Sequence, residues 1–262
     1  MKKSKLQRKW WSRFVRRSHY FEGASALGKL KRLEYMDFIS RTPITGDRVL
    51  KTDLFVEAKD KEDNYLPLLD CSNRFVGMDI SLETVRVART KLKLHFPEML
   101  FVVCDATRLP FKPEVFDSII SDSTLDHIPL SKLPDALSGV SDVLKKGGKL
   151  VLSLNNVYNL PAVIKRKLRN SWDPNWFFTF SISLRRTKAL LRKSNFDIQE
   201  SAYILPLHPF QIAWLRFALA RNFGLKSAEK WVFLFNKIVK GIGLSRLFSM
   251  QLIVTAKKEP KD

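Results

Sequence analysis

The chain is poor in cysteine and has no long apolar run. Its two cysteines, Cys71 and Cys104, form no CxxC pair and have no set of metal-ligating residues nearby. Disulfide scaffolds and zinc sites need several cysteines at regular spacing, so we expect two reduced thiols and no metal site. The richest apolar stretch, residues 203–220, is interrupted by proline and polar residues, which excludes a membrane-spanning helix. No apolar segment follows the basic N-terminus, so we expect no secretory signal and predict a cytoplasmic protein.

Acidic residues are scarce only at the two ends of the chain. The 262 residues carry 46 Lys+Arg against 26 Asp+Glu, a formal net charge of +20. This charge divides into +9 for residues 1–41, −2 for residues 42–159 and +13 for residues 160–262. A histone-like or low-complexity polycation is excluded, because 45% of the residues are hydrophobic and 11% are aromatic. The composition indicates a globular chain with a neutral middle and two basic flanks.

The middle of the chain alternates between strand-like and helix-like periods. The predicted strands are residues 47–52, 74–80, 99–104, 115–121, 149–154, 196–205 and 249–257, and the predicted helices are residues 54–69, 81–95, 130–144, 184–194, 210–223 and 227–248. This alternation predicts an α/β fold in which helices cover a parallel sheet. We divide the chain into an N-terminal extension (1–41), a sheet domain (42–205 with 249–258) and a helical insert (206–248).

Several predicted strands are flanked by polar or glycine residues in an order typical of one family. The second strand ends in Asp79, the third in Cys104-Asp105-Ala106, Leu109-Pro110-Phe111 precedes the fourth, and Lys145-Lys146-Gly147-Gly148 precedes the fifth. In this order they resemble the class I S-adenosylmethionine-dependent methyltransferases, in particular members that act on small molecules and lipids. The resemblance implies a doubly wound, mostly parallel seven-stranded sheet with helices on both faces. It also implies S-adenosyl-L-methionine as the cofactor.

The resemblance assigns cofactor contacts to the ends of the second and third strands, where an open α/β sheet binds its ligand. Asp79 is expected to accept hydrogen bonds from both ribose hydroxyls, and Ile80 to line the adenine slot. Asp105 is expected to accept from the adenine amino group, with the backbone of Ala106 as a second contact. Two alternatives stay open: Asp79 as a charge at the start of the following helix, and Asp105 as a turn former.

The loop after the first strand departs from the family pattern. Family members place a glycine-rich turn there, because glycine lets the backbone approach the methionine part of the cofactor. This chain has no glycine between Gly46 and Gly77. One interpretation is a variant site in which Asp53 or Glu57 binds the cofactor ammonium, Lys51 its carboxylate, and Thr52 bridges the two. The alternative is a degenerate site that no longer binds the cofactor.

The segment after the fourth strand, residues 121–128, faces both methyl donor and acceptor in the family. Ser121 and Ser123 are expected to contact the cofactor. His127 is the candidate general base, oriented by Asp126 or Asp122. Methyl transfer from a sulfonium needs positioning more than a base, so the alternative is a helix that begins at Leu125, capped by Ser123 and Thr124. Asn155 and Asn156, after the fifth strand, are either acceptor contacts or turn formers.

The basic flanks are rich in aromatic residues at helical spacing. The pattern is carried by Leu6, Trp10 and Phe14, by the stretch 165–180, and by residues 214–242. Basic amphipathic helices of this kind favour an anionic membrane surface, although the same faces could pack on the sheet. We therefore predict a methyltransferase that acts on an amphiphilic or lipid-linked acceptor at the cytoplasmic membrane face, as a peripheral protein. The alternatives are a nucleic-acid (RNA) methyltransferase, whose basic flanks would neutralise phosphates, and an inactive methyltransferase-like binding protein.

Overall fold

A computed structural model describes residues 23–44, 46–59, 74–160, 163–164, 180–206, 234 and 236–260. Three predictions lie outside these residues: the amphipathic helix around Trp10, most of the aromatic stretch 165–180, and the helix 210–223. Cys71 also lies outside them. Within the described part of the chain, no helix combines the length and the apolar character needed to span a bilayer.

Seven strands and their intervening helices follow one another along the chain. The strands are β1 Arg48–Lys51, β2 Arg74–Asp79, β3 Leu100–Val103, β4 Phe116–Asp122, β5 Leu144–Asn155, β6 Phe196–Pro206 and β7 Ser249–Lys258. The helices are α1 Gly23–Arg41, α2 Phe55–Lys59, α3 Leu82–Leu92, α4 Leu133–Val143, α5 Leu184–Lys193 and the single turn α6 Ser245–Phe248. Residues 236–241 are also helical.

The strands form one sheet in the order β3-β2-β1-β4-β5-β7-β6. Strands β1 to β5 pair in parallel, and β7 runs antiparallel to both of its neighbours. The predicted α/β fold with a mostly parallel seven-stranded sheet is confirmed. The order reverses between β1 and β4, and at such a reversal the carboxyl ends of the strands open into a crevice.

A hydrophobic core covers each face of the sheet. Val49, Ile120 and Val151 belong to one core, and the neighbouring Leu50, Ile119 and Leu152 belong to the other. Consecutive strand residues point to opposite faces, so each buried strand supplies both cores. The first core is completed by apolar residues of α1 and α3, including Tyr35, Phe38, Val85 and Ala88, and the second by residues of α4 and α5, including Leu137, Val140 and Leu191.

The boundaries around the start of β5 differ from the prediction. The helix predicted over 130–144 begins at Leu133 after a short 3-10 turn and ends at Val143. Leu144 already pairs with Phe116 of β4 and is buried, so the strand begins there rather than at Lys149. Gly147 has its positive φ of 73° inside β5.

The second half of the predicted N-terminal extension packs against the sheet domain. Tyr35, Phe38 and Ile39 of α1 are buried in the first core. Helix α1 also contacts β6 at the edge of the sheet. Residues 31–41 are therefore part of the packed domain, although the sequence assigned them to a separate segment.

Candidate functional site

The loops after β1, β2 and β4 meet where the strand order reverses. Lys51, the last residue of β1, lies opposite Gly77 of β2 and Ile120 of β4. The loops also bond to one another. The Leu54 amide donates to Asp79 Oδ2 at 3.3 Å, and Thr52 Oγ1 donates to Thr124 Oγ1 at 2.9 Å. The fold thus brings together the polar residues that the sequence placed at separate strand ends.

The first loop is built around a buried ion cluster of Lys51, Asp53 and Glu57. Lys51 Nζ donates to the Asp53 carbonyl at 2.9 Å, to Asp53 Oδ2 at 3.1 Å and to Glu57 Oε2 at 3.2 Å. Burial lowers the pKa of Lys51, but the charges of Asp53 and Glu57 outweigh it and raise that pKa. Burial raises the pKa of Glu57 to about 7, against the opposing effect of Lys51. Glu57 Oε1 is buried and has no hydrogen-bond partner among the described residues.

This cluster changes the role expected for Lys51. A buried ammonium needs acceptors on every side, and the three contacts within the loop use its three N–H groups. The geometry therefore does not favour the predicted direct contact between Lys51 and a cofactor carboxylate. Asp53 keeps some exposure, and Thr52 bonds to the neighbouring loop. Of these residues, Asp53 and Glu57 have carboxylate oxygens to offer a ligand cation.

Gly77 of β2 makes the tight first loop possible, and the sequence analysis missed it. A Cβ at this position would lie 2.6 Å from Leu54 Cδ2 and 2.7 Å from Met99 Cε. Leu54 can therefore pack directly onto the β2 backbone, which draws the Leu54 amide to Asp79. The glycine that this loop requires lies in the neighbouring strand. A glycine inside a buried strand often marks a close approach of another chain segment, and this was the sequence feature that could have identified Gly77.

Asp79 lies at the centre of the site and is almost fully buried. Asp79 Oδ1 accepts from the Ser81 amide at 2.8 Å, and Oδ2 accepts from the Leu54 amide at 3.3 Å. Burial raises its pKa to about 6, although the Ser81 N–H opposes the shift. Each carboxylate oxygen has a second lone pair, so Asp79 can still accept from two neighbouring hydroxyls. Asp79 also bonds to Ser81, the residue that caps α3. The alternative role at the start of that helix is therefore present as well.

Asp105 forms a turn after β3. Its Oδ1 accepts from the amide and the hydroxyl of Thr107, both at 2.9 Å. The turn-forming alternative is thus realised through one carboxylate oxygen, and Oδ2 lies outside this turn. Ala106 is buried beside it, and Ile80 is half-buried at the end of β2. Burial raises the pKa of the nearby Cys104 thiol to about 11, so this cysteine stays protonated at neutral pH.

The segment after β4 forms one 3-10 turn, Leu125–His127, instead of the helix considered as an alternative. Ser123 Oγ donates to Asp126 Oδ2 at 3.0 Å, and burial raises the pKa of Asp126. Asp126 Oδ1 and the Ser121 hydroxyl are buried without hydrogen-bond partners among the described residues. His127 is half-buried next to them. These residues lie together as predicted, and their catalytic and cofactor-binding roles stay predictions.

Asp122 is held by helix α1. Lys31 Nζ lies 2.8 Å from Asp122 Oδ2, and the Tyr35 hydroxyl donates to Asp122 Oδ1 at 2.5 Å. Ser153 of β5 contacts both Tyr35 and Asp122. Burial raises the pKa of Asp122, but the charges of Lys31 and Lys51 outweigh it and lower that pKa. Asp122 is therefore engaged by α1 and β5, and its role in orienting His127 stays a prediction.

Helix α1 was missed as a part of the site. Lys31 and Tyr35 stand four residues apart, so they lie on one helical face. That spacing was visible in the sequence. Their partner Asp122 is 87 residues further along the chain than Tyr35, and no local pattern joins the two.

Negative charge exceeds positive charge across this edge of the sheet. The buried or partly buried groups at the ends of β1, β2 and β4 include Lys31 and Lys51 against Asp53, Glu57, Asp79 and Asp122. When all four acids are ionised, this set has a surplus of two negative charges. A cleft with one sign of charge attracts ligands of the other sign. The edge therefore favours a cation.

Asn156 has a structural role. It is buried, and its amide donates to the carbonyls of Arg246 at 2.7 Å and Ser249 at 2.9 Å. Asn159 makes a similar bond to the Phe248 carbonyl at 2.7 Å. These bonds fasten the end of β5 to the segment that leads into β7. Asn155, in contrast, is half-buried at the carboxyl edge, where an acceptor contact stays a prediction.

Comparison with known proteins agrees with this fold. Residues 63–152 match the family model of a methyltransferase domain. The chain is 30% identical over 157 residues to MJ1252, an uncharacterized protein of Methanocaldococcus jannaschii. That match covers 60% of this chain and 58% of the relative, so the chain matches less than two thirds of that relative's length.

Solved structures show the same architecture at low sequence identity. The YcgJ protein of Bacillus subtilis is 17% identical with a TM-score of 0.57, covering 87% of this chain and 100% of that one. Phosphoethanolamine N-methyltransferase 2 of Haemonchus contortus, in complex with S-adenosyl-L-methionine, is 17% identical with a TM-score of 0.59, covering 95% and 60%. The methyltransferase-domain match over residues 63–152 and the seven-stranded fold agree with the resemblance to class I S-adenosylmethionine-dependent methyltransferases that the sequence indicated.

Proposed function

We propose that this protein is a class I methyltransferase that binds S-adenosyl-L-methionine across the ends of β1 to β4 and transfers its methyl group to an acceptor. The observation that carries the proposal is Asp79. It ends β2, the strand beside β1 where the strand order reverses, is fixed by two backbone amides, and keeps a lone pair on each oxygen for a pair of ribose hydroxyls. Asp105, at the end of the next strand, is in position for the adenine amino group.

The residues present also fit the cationic part of the cofactor. The α-ammonium and the sulfonium both carry positive charge, and the edge has a surplus of acids. Glu57 Oε1 is buried without a partner among the described residues, and Asp53 is partly exposed beside it. These two carboxylates would hold the ammonium. Lys51 would act on the ligand only through them, because its own donors are used within the cluster.

When bound, the cofactor would supply a methyl group already activated by the sulfonium. The chain would hold the methyl donor and the acceptor in line and exclude water. Such positioning can supply most of the rate enhancement of an in-line displacement. Tyr35 and Ser153 hold the Asp122 carboxylate in place by donating hydrogen bonds to it. His127, half-buried beside Asp126, is the residue proposed to receive the proton that the acceptor loses.

The acceptor proposed here is amphiphilic or lipid-linked. Tyr158 and Leu160, just after β5, are exposed apolar residues on the side of the sheet where the site opens. Arg246 stacks over the Tyr158 ring, with its guanidinium carbon 3.9 Å from the ring centroid. An exposed apolar surface with a cation beside it suits a molecule with a hydrocarbon part and an anionic head.

Titration of S-adenosyl-L-methionine by calorimetry tests the cofactor proposal. The intact chain should bind, and Asp79→Ala should lose binding. Asp117→Ala is the matched control, because Asp117 also accepts from a backbone amide, that of Arg48, but at the opposite edge of the sheet. The control should bind as the unchanged chain does. Absence of binding by the intact chain at millimolar ligand would overturn the proposal and favour an inactive methyltransferase-like protein.

A further inference from the structure

A helical segment near the C-terminus exposes a row of large apolar side chains. Leu234, Ile238 and Ile242 are 47%, 49% and 61% exposed, and their spacing of four residues places them on one helical face. Such residues normally face a core, so a row of three in solvent calls for an explanation.

The opposite side of the same segment is firmly anchored. Asn236 and Val239 are buried, and the Asn236 amide donates to Glu34 of α1. Lys240 forms an ion pair with the same carboxylate at 3.1 Å. The orientation of the helix is therefore set by buried contacts, and its apolar row is held outward.

The exposed surface continues into the turn that precedes β7. Leu247 in this turn and Met250 at the start of β7 are each 41% exposed, and Arg246, next to Leu247 in sequence, has its guanidinium over the Tyr158 ring. Lys237 is exposed on the neighbouring helix. We refer to Ile238, Ile242, Leu247 and Met250, with Lys237 and Arg246, as the apolar-basic patch.

The apolar-basic patch lies at the same edge of the sheet as the site. Strand β7 is antiparallel to β5, and its residue Gln251 pairs with Asn155 at the carboxyl end of β5. The residues just before β7 therefore border the carboxyl edge. Asn156 and Asn159 fix them there through the backbone carbonyls of residues 246, 248 and 249.

We propose that the apolar-basic patch docks this protein on an anionic lipid bilayer. Its apolar side chains would enter the interface, and Lys237 and Arg246 would meet the anionic headgroups. The charge of the surrounding sequence is complementary to such a surface, because residues 160–262 carry a net +13. Docking itself does not need methyl transfer. Its use in delivering an amphiphilic acceptor rests on the proposed function.

Vesicle co-sedimentation tests the docking surface. The full chain is mixed with vesicles of phosphatidylcholine alone or of phosphatidylcholine with phosphatidylglycerol. We expect binding to the anionic vesicles that weakens as salt is raised. The double variant Ile238→Asp/Ile242→Asp should weaken binding by about tenfold or more, because it places charge in the interface. Arg246→Glu should weaken it by at least roughly fivefold, the effect of one basic residue near an anionic surface.

The controls place the same changes outside the patch. Leu94 is 89% exposed just after α3, so Leu94→Asp tests a leucine lost from another surface. Lys146→Glu reverses an exposed charge near the start of β5. Both should sediment like the unchanged chain, and thermal unfolding should show that the patch variants remain folded. Equal losses in patch and control variants would overturn the proposal.

Two further measurements distinguish membrane docking from nucleic-acid binding and from the proposed methyl transfer. In the first, a single-stranded RNA is added as competitor. If the chain binds RNA and not vesicles, and the patch variants lose RNA binding, the partner is a nucleic acid. The membrane proposal then fails. Asp79→Ala should bind vesicles like the unchanged chain, because Asp79 lies outside the patch. A chain that docks but does not bind S-adenosyl-L-methionine would thus contradict the proposed function alone.

Discussion

The buried Glu57 should make the stability of this protein depend on pH in a way that one substitution removes. Burial raises the pKa of Glu57 to about 7 from its ordinary 4.5. The folded protein therefore keeps the Glu57 proton to a higher pH than the unfolded chain does. Folding is favoured by this group at low pH, and the advantage is lost as pH rises from 4.5 to about 7. The shift corresponds to a loss of about 3 kcal/mol in the free energy of unfolding.

Glu57→Gln removes this titration and keeps the shape. The amide oxygen can still accept from Lys51 in place of Oε2, and Lys51 with Asp53 remains a neutral pair. The amide nitrogen would replace Oε1, which has no partner among the described residues. That defect costs about 1–3 kcal/mol at every pH. The informative quantity is therefore the change with pH in the difference between the two proteins.

Urea unfolding followed by circular dichroism measures this difference. Between about pH 5 and about pH 8, the free energy of unfolding of the unchanged chain should fall relative to Glu57→Gln by up to about 3 kcal/mol. Glu98→Gln, at an exposed position, serves as the control and should follow the unchanged chain. Parallel profiles for Glu57→Gln and the unchanged chain would refute the raised pKa that burial gives Glu57.

Three further changes test other parts of the site. The affinity for S-adenosyl-L-methionine, measured by calorimetry, should rise as pH increases through about 6, because Asp79 accepts hydroxyl hydrogen bonds best when ionised; a flat profile would contradict this role. Gly77→Ala should lower stability by about 1–3 kcal/mol in urea unfolding, since its Cβ would overlap packed side chains. Gly139→Ala, a helix position with open space, should raise stability by up to about 1 kcal/mol; similar effects at both glycines would be inconsistent with this packing. Tyr35→Phe should lower the stability by about 1–3 kcal/mol, because two buried partners lose their hydrogen bonds to the phenol. An unchanged stability would argue against that hydrogen-bond network.

The mostly parallel sheet and the acid-ended strands were predictable because their signals are local. Asp79 and Asp105 each close an apolar run of a few residues, and in a parallel sheet such ends share one edge. Ser123 and His127 were assigned to the same edge by the family resemblance. Periodicity along short stretches therefore predicted the architecture, and the resemblance supplied the expected position of the site.

The contacts within the site were less predictable, because they depend on pairs of residues far apart in sequence. The acceptors that saturate Lys51 lie close by, but whether an ammonium faces them or solvent is decided by burial, which the sequence does not state. The link between Tyr35 and Asp122 joins an N-terminal helix to the fourth strand. Leu144 became a strand residue because Phe116 lies opposite it, although the pattern around it is helical.

Helix α1 connects the two basic flanks to the neutral domain between them. On the side of the site, Lys31 and Tyr35 bind Asp122. On the side of the apolar-basic patch, Glu34 Oε2 accepts from the Leu205 amide at 2.6 Å, and Oε1 contacts Asn236 and Lys240. One helix thus fastens the site and the patch to the same framework. The charge that the sequence places in the flanks belongs, in these segments, to surfaces packed on the domain and not to detached tails.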